Sequence, residues 1–206
     1  MQSKYYRNNV TDAINLLEVM IEKNITNFIF SSSCSVYGEP VEIPINEDHP
    51  KNPINPYGRS KLMVEQILDD FGKAYGLESV SLRYFNAAGG DPEGELGEDH
   101  SPEAHLIPLI LQTALGQREV INIFGDDYPT KDGTCIRDYI HIDDLAQAHL
   151  LALERVLSGL PDGQYNLGNG DGYSVKDVIK IARNITGKPV PTKITSYRDP
   201  IQELWK

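Results

Sequence analysis

The chain has 206 residues, enough for one substantial core and a small second lobe. It is 40% hydrophobic and 24% charged, as an ordinary globular protein is. Nineteen basic against thirty acidic residues leave a formal charge of −11, which argues against nucleic acid as a partner because a phosphate backbone needs basic patches.

No apolar run approaches the ~20 residues of a membrane helix, and the opening "MQSKYYRNNV" has no apolar signal core. No membrane is expected, and the expected setting is the cytoplasm. The cysteines, Cys34 and Cys135, make no metal spacing and no disulfide framework of a secreted protein.

Residues 8–23 read as an amphipathic helix, with Val10, Ala13, Ile14, Leu17, Met20 and Ile21 at helical spacing. "NFIFSSS" (27–33) reads as a buried strand ending in small polar residues. Residues 38–56 hold five prolines and several acids and predict an irregular loop. A helix is expected from 57 to about 75, then a strand at 79–85, then the glycine-rich loop "NAAGGDPEGELG". A helix near 104–116, a strand at 120–124, a helix over 142–158, a strand at "YNLG" and a helix at 174–186 complete the series. Strands alternating with helices predict βαβ units and a parallel sheet. In such sheets ligands sit beyond the carboxyl ends of the strands, where Ser31–Ser33 and Tyr84–Asn86 fall.

"NPINPYGRSK" (52–61) puts Tyr57 and Lys61 one turn apart just after Pro56, a residue suited to a helix start. On spacing alone, the plain reading is a surface lysine above a half-buried tyrosine. The alternative is a phenol whose acidity is tuned by an ammonium, since a nearby cation favours phenolate.

Three pieces converge: serines at one strand end, Tyr57 with Lys61 on the next helix, and "RYFN" at the next strand end. Together they resemble the extended short-chain dehydrogenase/reductase superfamily. Within it, "FSSSCSVYGEP", "PYGRSKLMVEQIL", "LRYFNAAGGDPEGELGE", "FGDDYPTKDGTCIRDYIHIDDLAQAH" and "YNLGNGDGYSV" resemble the UDP-glucose 4-epimerase family, from about Asn8 to Lys188. The resemblance implies an α/β chain with a partial Rossmann-type doubly wound parallel sheet and a small substrate-binding α/β lobe. Residues 1–85 would be the later part of the NAD-binding domain. Residues 86–206 would mostly bind nucleotide sugar, with 120–124 and 135–150 returning to the sheet.

The implied reaction inverts C4 of a UDP-hexose, by hydride transfer to and from NAD. By resemblance Tyr57 is the base, Lys61 holds the nicotinamide ribose and lowers the tyrosine pKa, and Ser33 bonds the 4-hydroxyl and relays its proton. The plain alternative for Ser33 is a cap on the following turn. Ser31 and Ser32 read as structural, and Cys34 as a small buried hydrophobe. Asn8 matches a cofactor contact, or else an ordinary helix cap. Phe85 matches a nicotinamide contact, Asn86 and Leu106 match contacts to the uridine-diphosphate sugar, and Phe124 matches a uracil-side contact. His105, beside Leu106, reads as packing or surface. Arg137 matches the pyrophosphate arginine, a guanidinium being suited to bidentate phosphate pairing; its plain partner is Asp138. No residue is read as a metal ligand.

"SSSCSVYG" lacks the acidic pair that the related 4,6-dehydratases carry there, so epimerisation is favoured over dehydration. None of the seventeen glycines forms the G-x-G-x-x-G turn that cradles a dinucleotide pyrophosphate. Met1 falls where the family would have completed its first three βα units, and "ITSYRDPIQELWK" offers Arg198 and Asp199 but not the family's Arg-Arg-x-Gly-Asp-type stretch. The chain is therefore expected to be truncated at both ends, to hold NAD weakly by itself, and to associate. A family-type homodimer is one expected assembly, and an N-terminal half supplied by another chain is the other. The competing readings are a non-catalytic remnant that binds nucleotide sugar or a partner chain, and another NAD-dependent nucleotide-sugar epimerase or decarboxylase.

Overall fold

The computed structural model describes residues 2–160 and 163–196. Arg198 and Asp199 lie outside them. Among the described residues the chain divides into two compact units. One takes the residues up to Phe85 and Asp143–Gly168; the other takes Asn86–Ile142 and the residues from Asn169 onward.

The first unit opens with a short helix α1 (Gln2–Tyr5), a π turn over Tyr6–Thr11, and helix α2 (Asp12–Glu22). The helical reading of 8–23 holds for its apolar stripe, with Leu17 and Met20 buried, but the first turn is wider than an α-turn. Strand β1 (Asn27–Ser33) follows, then a 3₁₀ turn at Cys34–Val36 and helix α3 (Pro56–Tyr75). Helix α3 starts where its sequence dictates: Asn55 Oδ1 accepts the Gly58 amide at 2.8 Å and Pro56 sits at the first position. It stops at Gly76, which adopts φ 71° and donates its amide to Gly72.

Strand β2 (Glu78–Tyr84) pairs in parallel with β1, Asn27 opposite Glu78 and Ser33 opposite Tyr84. It also pairs in parallel with strand β6 (Gly163–Leu167), giving a sheet of order β1-β2-β6. The pleat sends alternate residues to opposite faces. Phe28 and Phe30 join Leu17, Met20, Val64 and Leu68 under α2 and α3. Ile29, Val80 and Leu82 join Ala152 and Val156 of helix α5 (Ile142–Leu157) on the other face. Each fully buried aliphatic side chain here is worth about 1.5–3 kcal/mol against exposure. The sheet is thus covered on both faces: β1 is apolar on both sides, while β2 turns Val80 and Leu82 to one face and Ser79, Ser81 and Arg83 to the other.

A polar network crosses this core. Arg83, fully buried in β2, is held bidentate by Glu65 of α3, with Nε–Oε1 2.9 Å and Nη2–Oε2 2.6 Å. Ser32 donates to Glu65 at 2.6 Å, Arg83 Nη1 donates to the Tyr37 hydroxyl at 2.9 Å, and Tyr37 donates to Asn166 at 2.6 Å. Burial opposes the Arg83 charge, but the hydrogen bonds and charge of Glu65 outweigh it and hold the guanidinium above its ordinary range.

The second unit contains strand β3 (Asn86–Ala88), helix α4 (Leu106–Ala114), β4 (Ile121–Phe124), β5 (Ile136–His141), β7 (Gly172–Ser174), helix α6 (Val175–Thr186) and β8 (Thr192–Thr195). Its core joins Ile110, Ile121, Ile123, Ile179 and Val190. Helix α6 carries a capping box in which Ser174 and Asp177 bond each other's main chain. Residues 120–124 and 135–141 do not return to the first sheet as the sequence reading had them. Strand β4 pairs in parallel with β8, while β5 pairs in parallel with β3 and antiparallel with β7. Only from Asp143 onward does that segment rejoin the first unit, as helix α5. The physical reason is partner choice: the short strands at 86–88, 172–174 and 192–195 escape a sequence reading, yet they take up the edges of β4 and β5.

Candidate active site

The carboxyl ends of β1 and β2 bring Ser33 and Tyr84 side by side. Ser33, nearly buried, ends β1 in extended geometry and caps the following turn: its Oγ accepts from the Ser35 amide at 3.2 Å and from the Ser35 hydroxyl at 3.0 Å. Its hydroxyl also lies beside the Tyr57 phenol and favours the phenolate. The turn-cap reading of Ser33 is thus realised.

Tyr57 is the second residue of α3, and its ring lies edge-on to Tyr5 at 6.1 Å between centroids. The start of α3 is clamped from two sides. Asn9, in the π turn, donates to Ser60 Oγ at 2.9 Å, and Ser60 donates to the Tyr57 carbonyl at 2.7 Å. Gly58 is buried against the Ser35 carbonyl, where an added Cβ would stand 2.4 Å from that oxygen. Only glycine lets α3 approach the 33–36 turn this closely.

Lys61 lies one turn beyond Tyr57. Its Nζ donates to the Ser31 carbonyl at 2.8 Å and sits 5.7 Å from the Tyr57 ring centroid and 4.9 Å from that of Phe30. Burial depresses the Lys61 pKa and raises that of Tyr57; the Ser33 hydroxyl pulls the phenol back down, and the neighbouring Tyr84, Cys34 and Tyr5 push it up. The sequence reading expected a phenol lowered by its lysine. In this chain the direction is the reverse, because desolvation dominates and the ammonium is turned toward the Ser31 carbonyl.

The other serines are structural, as expected: Ser31 Oγ lies 2.9 Å from His149 Nε2, and Ser32 is fully buried on Glu65. Neither cysteine is in a disulfide. Asn8 is exposed inside the π turn and caps no helix. Such turns recur at functional sites. Phe85 is half-buried between β2 and β3.

The remaining residues belong to the second unit. Asn86 of β3 donates to the Asp138 carbonyl at 2.8 Å, Leu106 opens α4 against the core of that unit, and Phe124 ends β4 at 38% exposure. Arg137 is exposed on β5 and donates to the Ile136 carbonyl at 3.1 Å. Its plain partner, Asp138, is engaged elsewhere: its carboxylate accepts the Asn169 and Gly170 amides at 2.9 and 3.0 Å. The guanidinium is left to face solvent, available to an anion.

The dinucleotide implied by the resemblance fits part of what is present. The Lys61 ammonium has three donors and spends one on Ser31, leaving two on a half-buried surface beside a phenol. A vicinal diol suits such donors. The phosphate-cradling glycine turn is not among the 206 residues.

Sequence reasoning missed the Glu65–Arg83–Tyr37 network beneath the serine strand. Its signal was a pair of charges in elements that pack the core: an arginine in the strand "SVSLRYF", and a glutamate beside Val64 on α3. It also missed Asn9 and Gly58, which fix where Tyr57 stands.

Comparison with known proteins places this geometry in a family. A UDP-glucose 4-epimerase of Halalkalibacterium halodurans is 55% identical over 195 residues, which cover 95% of this chain and 58% of that relative. The Brucella ovis UDP-glucose 4-epimerase solved with NAD superposes with a TM-score of 0.93 at 49% identity, over 96% of this chain and 61% of that one. The Bifidobacterium longum enzyme, solved with NAD⁺ and UDP, gives a TM-score of 0.87 at 43% identity, over 95% and 59%. The chain thus spans somewhat under two thirds of the length of these relatives. The model of the NAD dependent epimerase/dehydratase family matches residues 2–168, and the chain belongs to that family.

Proposed function

We propose that this chain supplies the acid–base and nucleotide-sugar-binding residues of a UDP-hexose 4-epimerase, interconverting UDP-glucose and UDP-galactose in galactose metabolism. The observation that carries the reading is the Ser33 hydroxyl beside the Tyr57 phenol, with the Lys61 ammonium 5.7 Å from the Tyr57 ring centroid. Bound NAD⁺ would take up hydride from C4 and return it to the other face of the 4-keto sugar.

The residues then have separate tasks. Tyr57 takes the proton of the 4-hydroxyl and gives it back, and Ser33 passes it between sugar and phenol. A base works best with a pKa near the operating pH. The phenol must therefore come down from its elevated value, and the Lys61 ammonium, 5.7 Å from its ring centroid, is the cation on hand to do it. The spare donors of Lys61 hold the ribose, with Asn8 and Phe85 as further cofactor contacts. Arg137 pairs with the diphosphate, and Asn86, Leu106 and Phe124 contact the rest of the nucleotide sugar. Among the described residues no helix is long and apolar enough to cross a membrane. A cytoplasmic setting is part of the proposal, supported by two cysteines outside any disulfide, as is a family-type dimer.

The test is a chimera in which this chain replaces the matching residues of the Halalkalibacterium halodurans enzyme. Turnover of UDP-galactose with NAD⁺ supports the reading. A folded chimera that binds UDP but does not turn over would leave a binding module in its place.

A further inference from the structure

Between the glycine-rich loop and α4, the sequence "EDHSPEAH" folds four side chains onto one point. Glu98, His100, Glu103 and His105 each present a ligand atom, and these atoms all lie within 4.8 Å of one another. His105 Nδ1 is 2.7 Å from Glu98 Oε1 and 2.9 Å from Glu103 Oε1. His100 Nδ1 is 3.1 Å from the same Glu98 oxygen and 4.0 Å from Glu103 Oε2. The two imidazole rings meet edge-on with centroids 4.9 Å apart.

This arrangement is over-subscribed for protons alone. One Nδ1 carries one proton, yet that of His105 faces two carboxylate oxygens, on Glu98 and Glu103. The Glu103 side chain is only 6% exposed, and its Oε1 accepts the amides of His105 and Ala104 at 2.8 and 2.7 Å. Two carboxylates so close repel unless something positive lies between them. A divalent cation satisfies all four groups at once.

We propose that Glu98, His100, Glu103 and His105 form a metal site for a borderline divalent transition cation, of which Zn²⁺ is the type. Two imidazole nitrogens with two carboxylate oxygens are a donor set such ions accept, whereas Mg²⁺ and Ca²⁺ prefer oxygen alone. The ligands span only eight residues, so the loop closed by the metal is short and its entropic cost small. An open cavity of about 330 Å³ reaches Glu98 and His100 from one side, giving a hydrated ion a way in. The ion would tie residues 98–105 to the start of α4, where His105 is the residue before Leu106 and its carbonyl accepts the Leu109 amide.

The probe is Co²⁺, followed by its visible absorption on the metal-stripped chain, with Zn²⁺ as competitor. One saturating equivalent, displaced by Zn²⁺, is expected. His100→Ala, His105→Ala and Glu98→Gln should each weaken binding by more than tenfold, more than losing an outer-shell partner at least costs. Nuclear magnetic resonance of the unaltered chain gives a second reading independent of folding in the variants. Zn²⁺ should shift the ring signals of His100 and His105 and leave those of His49 and His149 in place. The absence of a saturable Co²⁺ spectrum, or a spectrum unchanged in the His100→Ala/His105→Ala variant, overturns the site.

Discussion

At the scale of single residues, the chemistry turns on how Tyr57 is held above the ordinary range of a phenol. Burial raises its pKa and the Ser33 hydroxyl partly offsets this by favouring phenolate. Replacing Ser33 by Ala therefore moves the phenol further up, and a spectrophotometric tyrosine titration of the chain should show one group shifted to higher pH. An unmoved titration would mean that Ser33 serves only the turn at Cys34–Val36. The same logic sets the alkaline limit of the fold. Tyr37, Tyr57 and Tyr139 all have raised pKa values, chiefly from burial. A phenol raised in the folded state binds its proton more tightly there than in the unfolded chain. Its contribution to stability is complete below the unfolded value of about 10 and drains away as pH rises past it. Chemical denaturation midpoints should be level through neutral pH on this account and fall above about pH 10.

At the scale of elements, the buried ion pair and the glycine at the head of α3 are the points of greatest leverage. Glu65→Ala strands the Arg83 guanidinium in the core, and breaking such a pair costs about 3–5 kcal/mol. Replacing both partners by Leu and Met should recover most of that loss, since the apolar pair leaves no charge to desolvate. Gly58→Ala acts on position instead. Its methyl meets the Ser35 carbonyl, so α3 must shift away from the serine turn, at a cost of about 1–3 kcal/mol. The Ser33 hydroxyl should move away from the Tyr57 phenol with it, read as a change in the Tyr57 titration; an identical titration with unchanged stability would show the close approach to be slack. The elements themselves were largely legible. "NFIFSSS" is a short apolar run ending in serines, "SVSLRYF" alternates polar and apolar residues, and Asn55-Pro56 and Gly76 punctuate α3 in plain sight. The strands at 86–88, 172–174 and 192–195 were not, because at three or four residues they carry no periodicity and owe their existence to partners distant in sequence. The widened turn at Tyr6–Thr11 lies on a stretch whose apolar spacing suits an ordinary helix equally well.

At the scale of the whole molecule, two features point to association. Strands β1 and β6 are the edges of their sheet, and α5 exposes Leu150, Leu151 and Leu157, each by more than half. Against this stands a net charge of −11, which keeps copies apart at low salt. Elution volume should therefore fall with concentration and more steeply as salt screens the charge; a salt-independent monomer would contradict the reading. The candidate site shows what one sequence can and cannot convey at this scale. Ser33, Tyr57 and Lys61 were readable because their motifs are contiguous and their strand and helix adjoin. Their electrostatics were not, since the direction of the Tyr57 shift depends on burial among Ser33, Tyr84, Cys34 and Tyr5, residues drawn together only by folding. The central claim is that Tyr57 is the proton-transfer group of a UDP-hexose epimerase. The most direct test is the turnover of UDP-galactose by the chimera with the Halalkalibacterium halodurans enzyme, before and after Tyr57→Phe. Phenylalanine keeps the ring and loses the hydroxyl, so turnover should drop by about 10²–10⁴-fold, roughly 3–5 kcal/mol of barrier, with UDP affinity unchanged. Turnover equal to that of the unsubstituted chimera would contradict the account.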